Sequence, residues 1–296
     1  MEFYSARLAR TLAVALMLAL AGAAAAGAVL PRSAKDRKDS NKSPQIHLVY
    51  AVPLDGTDRG LDTDGTIVRS VQSSRRWFQE ASDGQDLRFD DYRGELDITF
   101  VRLPKTDAQI GARGAFVRDE IEKLLRARGF KKANKIYAVF YDGSSTHACG
   151  GGSWPPVLKG SVAALYLRGE IPGFLPCSEN PFAEDEESPG YWEFVLVHEI
   201  LHTLGFVATC APSHAFSGHV GDDNQDLMYA GDQPWMPWLL DFNRDDYFAH
   251  SNGRCLDLMD NRFLLPATAS VRQPPATLPL LQRFITGPPP CGGEEQ

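Results

Sequence analysis

The sequence has few cysteines, no excess of basic charge and, after residue 30, no long apolar run. Its formal net charge of −8 at pH 7 argues against a nucleic-acid partner, because a phosphate backbone requires a basic surface. Without an apolar run of about 20 residues, no segment after residue 30 is predicted to span a bilayer. Hydrophobic residues make up 43% of the chain and charged residues 23%, which is typical of a globular protein. The 296 residues are enough for one large domain or two small ones.

The first thirty residues have a different composition. Arg7 and Arg10 precede a Leu/Ala run at residues 12–20, and the small residues AGAAAAGA follow. This order is typical of a secretory signal peptide, so residues 1–28 are predicted to direct the protein to the extracellular space and to be removed. An uncleaved membrane anchor is the alternative, because the apolar stretch nearly reaches Leu30.

The rest of the chain alternates between strand and helix patterns. Residues 29–44 are charged and lack apolar periodicity, which predicts a flexible leader. Residues 264–296 are rich in proline and predict a weakly ordered tail. Between them, the alternation predicts an α/β fold with a mixed, mainly parallel twisted sheet and long helices. The predicted strands are Ile46–Val52, Leu96–Leu103, Lys135–Tyr141 and Ser161–Leu167, and the predicted helices are Ile67–Ala81, Gly114–Arg128 (with Gly129 as its cap) and Tyr191–Leu204.

All the cysteines lie beyond residue 148, namely Cys149, Cys177, Cys210, Cys255 and Cys291. In an exported protein such residues tend to form disulfide bonds. Two bonds with one cysteine left over can be arranged in many ways, and spacing alone does not choose among them. We favour the pairs Cys149–Cys177 and Cys210–Cys255, which leave Cys291 in the tail.

An acidic segment, DTDG at Asp62–Gly65, is similar to a fragment of a calcium loop. It lacks the first acidic ligand and the distal glutamate of an EF-hand. An ordinary acidic turn is therefore the preferred interpretation, and a structural Ca²⁺ ion has no support from this motif.

The motif that carries chemistry is HEILHTLGF, residues 198–206. His198 and His202 are four residues apart, so on a helix they project from one face and can reach a single Zn²⁺ at about 2.0–2.1 Å. Glu199 lies beside the metal in this arrangement, where it can take a proton from a zinc-bound water. The alternative is an apolar helix with two structural histidines, but such a helix has no need of Glu199.

A catalytic zinc requires a third protein ligand. No glutamate lies between Glu199 and Glu294, which excludes a downstream glutamate ligand of the thermolysin type. The remaining candidates are His219, His214 and an aspartate such as Asp222 or Asp223. The segment HVGDDNQDLMY, residues 219–229, favours His219 because it resembles matrixins, in which a methionine turn closely follows the third zinc histidine.

Together these motifs resemble the metzincin zinc proteases. HExxHxxG matches the zinc helix of that clan, and the run from His219 to the L-M-Y at Met228 is similar to the methionine turn of matrixins. The chain departs from the pattern at Ala208, which stands where the clan has its third histidine. The run to the methionine is also one residue longer than in matrixins. An insertion at residues 206–218 would explain the displaced ligand.

The resemblance implies a catalytic domain over residues 45–263, with a cleft between an upper subdomain, 45–205, and a small irregular lower one, 206–263. It implies that an extended protein or peptide substrate pairs with an edge strand, for which Ser161–Leu167 is the best candidate. Trp235 and Trp238 follow the methionine and either wall a substrate pocket or pack the lower subdomain.

The sequence therefore predicts a secreted, zinc-dependent endopeptidase that acts as a monomer, with Glu199 as its general base. His198, His202 and His219 are the predicted ligands of one Zn²⁺ ion. Two alternatives stay open: a catalytically inactive binding protein with a metzincin-like fold, and a zinc hydrolase of a non-protein substrate. No cysteine precedes Cys149, so latency by a propeptide thiol is not expected.

Overall fold

A five-stranded sheet lies at the centre of the computed structural model, which describes residues 30–267. From one edge to the other the strands are Ile98–Arg102, Gln45–Val52, Lys135–Tyr141, Leu158–Tyr166 and Gly150–Trp154. The first four are parallel, and the last is antiparallel to its neighbour. This is the predicted mixed, mainly parallel sheet. In chain order its strands are β1 (Gln45–Val52), β5 (Ile98–Arg102), β6 (Lys135–Tyr141), β7 (Gly150–Trp154) and β8 (Leu158–Tyr166). Short pairings involve β2 (Asp86–Leu87), β3 (Asp91–Tyr92), β4 (Glu95–Leu96) and β9 (Leu264–Leu265).

Four α-helices accompany the sheet in the described residues: α1 (Thr66–Ala81), α2 (Asp107–Gly111), α3 (Val117–Ala127) and α4 (Tyr191–Leu204). A 3₁₀ turn at Gly114–Phe116 leads into α3, so the helix predicted from residue 114 begins slightly later. Gly129 ends this region with φ of 97°, a conformation that glycine adopts at little cost. Further 3₁₀ turns lie at Cys177–Glu179, Phe242–Arg244 and Leu258–Asp260.

The two faces of the sheet bury separate apolar clusters, because successive side chains of a strand point to opposite faces. Strand β1 shows this alternation clearly. One set of its residues packs with apolar side chains of α1 and α4, and the other packs with those of α3. The first set is Ile46, Leu48, Tyr50 and Val52, and the second is Val49 and Ala51. Helix α4 is thereby fixed against one face of the sheet, where it contacts β7 and β8.

The position of the edge strand differs from the prediction. Strand β8, which contains most of the segment Ser161–Leu167, pairs with β6 on one side and β7 on the other. It is therefore an interior strand, and its backbone groups are already used in the sheet. The edge next to α4 is β7, which begins with three glycines at residues 150–152.

Residues on both sides of the predicted catalytic domain, 45–263, also contact the fold. Residues 30–44 lie against the sheet: Ser33 forms a bridge with Thr99, and Arg37 forms an ion pair with the buried carboxylate of Asp97. At the other end, β9 pairs with β2, so residues 264–265 belong to the folded part. The predicted signal peptide and Cys291 lie outside the described residues.

Both favoured disulfide bonds are present, Cys149–Cys177 and Cys210–Cys255. Such bonds are compatible with an extracellular protein. In the acidic turn at Asp62–Gly65, Asp62 accepts hydrogen bonds from Arg32, and Asp64 accepts one from Thr66 N. Within residues 30–267, no helix is long and apolar enough to cross a membrane.

Candidate metal centre

Helix α4 carries the first two candidate ligands in a fully packed environment. Its residues from Tyr191 to Thr203 are all buried, so the helix has no solvent-facing side before its last turn. At its start, the Glu193 carboxylate accepts hydrogen bonds from the backbone N–H groups of Ala183 and Gly190. At its end, Gly205 has φ of 100°, and this left-handed conformation turns the chain away from the helix. The glycine of the motif is thus required by the backbone.

Three imidazole rings converge where the chain returns to α4. The ring centroids of His198 and His202 are 4.6 Å apart, and His219 lies 5.3 Å from the first and 4.6 Å from the second. One nitrogen from each ring lies within 4.8 Å of the other two. The Nε2 atoms of His202 and His219 are separated by 3.2 Å. The segment at residues 206–218, which was predicted to be an insertion, therefore loops out and brings His219 back to the helix.

A backbone carbonyl oxygen fixes the orientation of each ring. His198 Nδ1 lies 2.7 Å from Leu227 O, and His202 Nδ1 lies 3.0 Å from Phe206 O. The Nδ1 atom of the third ring is 2.9 Å from the carbonyl oxygen of Phe216. Since a carbonyl oxygen only accepts, each Nδ1 must carry the proton, and each Nε2 then presents a lone pair.

Burial favours the neutral form of all three rings. It lowers the pKa of His198 and of His202 well below the usual value, and the neighbouring imidazoles lower both further. Burial also lowers the pKa of His219, to about 4. The rings are therefore unprotonated at neutral pH, which is the form that binds a metal ion.

The donor set fits a zinc ion. Two lone pairs that face each other at 3.2 Å repel unless a cation lies between them. Ligands at about 2.0–2.1 Å in tetrahedral geometry are separated by about 3.3–3.4 Å, close to this distance. Neutral imidazole nitrogens are typical ligands of Zn²⁺, and hydrogen bonds from their other nitrogens to carbonyl groups are the usual support. The cluster can therefore hold a metal ion.

Glu199 is fully buried and lies between the ligand helix and the edge strand. A Cβ built on Gly150 would come within 2.9 Å of its Cγ and Cδ atoms and closer still to Oε1. A Cβ on Gly152 would be 2.6 Å from Cβ of His202 and 2.8 Å from the carbonyl oxygen of Glu199. Only glycine allows β7 to approach the helix this closely, which explains the glycines of that strand.

The methionine segment contacts the first candidate ligand through its backbone. Met228 is fully buried, and the preceding carbonyl of Leu227 is shared by His198 Nδ1 and by Trp235 Nε1, the latter at 3.1 Å. Trp235 is itself buried, with its ring centroid 5.8 Å from that of His198. It therefore supports a candidate ligand, while Trp238 packs against Phe194 of α4.

A buried carboxylate that sequence reasoning missed holds the methionine segment in place. Asp226 accepts hydrogen bonds from Met228 N at 2.6 Å, from Phe242 N at 2.8 Å and from the Tyr247 hydroxyl at 2.8 Å. Burial raises its pKa well above the usual range for an aspartate, although the bonds from Phe242 and Met228 oppose that shift. The available signal was its position two residues before Met228, where an aspartate side chain commonly binds the backbone.

The competing candidates for the third ligand lie elsewhere. The ring of His214 stacks on that of Trp154, with centroids 5.8 Å apart and planes 13° from parallel. Asp222 groups with Asp245 and Asp246 and not with the histidines. Within residues 30–267, His219 is thus the candidate that the fold brings to the helix histidines.

Comparisons with known proteins return only distant likenesses. No family model matches this sequence, and no curated protein matches it. Twenty-one solved chains match. Among them is archaemetzincin from Methanopyrus kandleri, with a TM-score of 0.31 and 19% identity over 62% of this chain and 81% of that one.

Two other solved structures are similar at the same level. Catalytically inactive OgpA from Akkermansia muciniphila, in complex with an O-glycopeptide, has a TM-score of 0.33 and 14% identity, over 60% of this chain and 53% of that one. A chaperone–substrate complex has a TM-score of 0.34 and 13% identity, over 74% of this chain and 34% of that one. Identities and TM-scores this low do not indicate a function, so a functional assignment must depend on the three histidines and Glu199.

Proposed function

We propose that this protein is an exported zinc endopeptidase of the metzincin type. The observation that carries the proposal is the convergence of three Nε2 lone pairs, each fixed by a carbonyl group at Nδ1, with the buried Glu199 directly after the first candidate ligand in the sequence. A binding site for a purely structural metal needs the three imidazoles but has no use for that carboxylate.

Each group has one role in this proposal. His198, His202 and His219 hold the ion, and Zn²⁺ bound there supplies Lewis acidity for attack on a carbonyl group. Glu199 accepts the proton of the attacking water and then donates it to the leaving amine. The backbone of β7 lies close to the Glu199 side chain and so limits the positions that its carboxylate can take.

The proposed substrate is a protein or peptide in extended conformation. Among the described strands, β7 is hydrogen-bonded only to β8, so its other edge has no strand partner and can pair with a substrate. An added strand would gain backbone hydrogen bonds along the segment that contacts Glu199. The glycines at residues 150–152 place no side chain between such a peptide and the candidate centre.

The proposal is tested with purified, zinc-loaded protein against casein and a library of unstructured peptides. Cleavage should occur, should stop with a zinc chelator and should return when Zn²⁺ is added. Size-exclusion chromatography checks the proposed monomer in the same preparation. If the loaded protein cleaves no peptide at all, the endopeptidase proposal is overturned. A hydrolase of a non-protein substrate or an inactive binding protein is then the better assignment.

A further inference from the structure

Three aspartate side chains meet at a second place, separate from the histidine centre. Asp222, Asp245 and Asp246 each contribute a carboxylate oxygen, and these oxygens all lie within 4.8 Å of one another. Asp222 follows the candidate ligand His219 by three residues, whereas the other two aspartates belong to the loop after the 3₁₀ turn at residues 242–244. The cluster therefore joins two segments that are distant in sequence.

One member of this cluster is buried with an unused acceptor. Asp246 is only 1% exposed, and its Oδ1 accepts a hydrogen bond of 2.6 Å from Ser213 N. Its Oδ2 atom is buried and has no hydrogen-bond partner in the described structure. A buried carboxylate oxygen without a donor is costly, because it has lost water and gained nothing in return.

The negative charge of the cluster is not compensated by the protein. None of the three aspartates forms an ion pair with any residue from 30 to 267. The adjacent Arg244 pairs with Asp83 instead. The negative charges of Asp222 and Asp245 add to burial in raising the pKa of Asp246, so the three carboxylates repel one another. Each of these properties calls for a cation.

We propose that Asp222, Asp245 and Asp246 bind a Ca²⁺ ion. The donors are all carboxylate oxygens, which favours Ca²⁺ or Mg²⁺ over Zn²⁺. Oxygen ligands of Ca²⁺ lie at about 2.3–2.6 Å, so two of them on opposite sides of the ion are about 4.6–5.2 Å apart, and the observed limit of 4.8 Å is compatible with this. Two exposed aspartates leave room for the water ligands that complete the coordination.

The bound ion would stabilise the segment around His219 in the candidate zinc centre. On one side it holds the stretch that follows His219, and through Asp246 it holds Ser213 in the inserted loop. On the other side it fixes the loop of Tyr247, whose hydroxyl group donates to Asp226, the residue that also accepts from Met228 N. Calcium would therefore stabilise the same segments that present the third histidine, without contacting the zinc ion.

The test is the thermal stability of the zinc-saturated, full-length mature protein in calcium-free buffer, with CaCl₂ or MgCl₂ added. At a Ca²⁺ concentration about 100 times the dissociation constant, the Tm should rise by roughly 5–10 °C, and Mg²⁺ should give a smaller rise. Titration calorimetry should show one Ca²⁺ site per chain. No rise with Ca²⁺, or binding of Mg²⁺ that equals that of Ca²⁺, would overturn the proposal.

Variants locate the site. Asp222→Asn and Asp245→Asn each remove one charge from an exposed ligand, and both should weaken Ca²⁺ binding at least about tenfold. Asp232→Asn removes the same charge from an exposed aspartate outside the cluster and should respond to Ca²⁺ like the unmodified protein. A Ca²⁺ response that survives in both cluster variants would place the ion elsewhere and overturn the assignment. Asp246→Asn is the less suitable variant, because its Oδ1 supports the inserted loop.

Discussion

Gly150 of the edge strand lies so close to Glu199 of the ligand helix that only glycine fits at position 150. A Cβ at position 150 would come within 2.9 Å of Cγ and Cδ of the glutamate. Gly150→Ala should therefore displace the carboxylate while leaving the three imidazoles in place. A shift of about 1 Å in a catalytic group costs up to about 10²-fold in rate, so we expect peptidase activity to fall about 10–100-fold with zinc content unchanged.

The matched control is Gly253→Ala, where an added Cβ meets nothing within 4 Å. This variant should keep its activity and its zinc. The comparison requires kcat/KM, zinc content and Tm for both proteins. Full activity in folded Gly150→Ala would mean that the position of Glu199 does not matter for the reaction.

Glu199→Gln should abolish peptide hydrolysis and leave zinc bound. The amide keeps the size of the side chain but cannot accept the proton of the attacking water. We expect a loss of at least about 10²-fold, the low end for removal of a general base. The measurement is kcat at saturating substrate together with zinc analysis of the purified variant. Near-normal turnover in Glu199→Gln would show that another group performs the proton transfer.

His219→Ala should lose zinc and activity together, whereas His214→Ala should retain both. Without His219 the ion has two protein ligands in place of the usual three, so its affinity drops steeply. His214 stacks on Trp154 away from the ring cluster and provides the matched control. Metal analysis after dialysis against a weak chelator gives the answer. Retention of zinc by His219→Ala would contradict the ligand set.

Glu193 should make the folded state less stable as the pH rises. Burial raises the pKa of its carboxyl group from 4.5 to about 7, partly opposed by hydrogen bonds from the backbone N–H groups of Ala183 and Gly190. The folded state then binds more protons than the unfolded chain between these values, so the free energy of unfolding falls as pH increases through that window. The total change is on the order of 3 kcal/mol.

Urea unfolding of the zinc-saturated protein at several pH values between about 5 and 8 measures this effect. Glu193→Gln keeps an oxygen for the N–H groups of Ala183 and Gly190 but carries no titrating proton. Its free energy of unfolding should vary less with pH than that of the unmodified protein, in this window. If the free energy of unfolding changes equally with pH in the two proteins, the pH dependence belongs to other buried acids. Asp241 is one of these, because burial raises its pKa to about 6.

The mature protein should begin within residues 24–31 and be found outside the cytoplasm. The charged start and the apolar run at residues 12–20 predict cleavage there, and the ion pairs of Arg32 and Arg37 need the chain from Arg32 onward. N-terminal sequencing of exported material is the measurement. Recovery of an intact Met1 would favour the uncleaved anchor.

Strong local patterns made much of the fold predictable. Strand β6 was predicted with its observed bounds, and α1 within one residue, because their apolar residues follow the strand and helix periods. Strand β7 was missed, since three glycines in a row have low strand propensity. These glycines are needed because the strand lies close to α4, a contact that no local pattern shows. Likewise, the leader was predicted to be flexible from its charge and its lack of apolar periodicity. Its ion pair between Arg37 and Asp97 joins residues 60 apart in the sequence, and such a contact leaves no local pattern.

The candidate site shows the same division. The four-residue spacing of His198 and His202 on a helix is local, so the sequence was sufficient to place both rings on one face. His219 was selected through resemblance, and its approach to His202 depends on how residues 206–218 return. The carbonyl groups at Phe206 and Phe216 carry no motif, since backbone acceptors are identical in every residue.

The bridge between Cys210 and Cys255 makes assembly of the candidate centre depend on the compartment in which the chain folds. Cys210 lies in the loop whose carbonyl groups, at Phe206 and Phe216, orient two of the three rings. In a thiol-reducing compartment this loop would lose its covalent connection to the segment around residue 255. Formation of a rigid ligand set would then be coupled to oxidation of this cysteine pair.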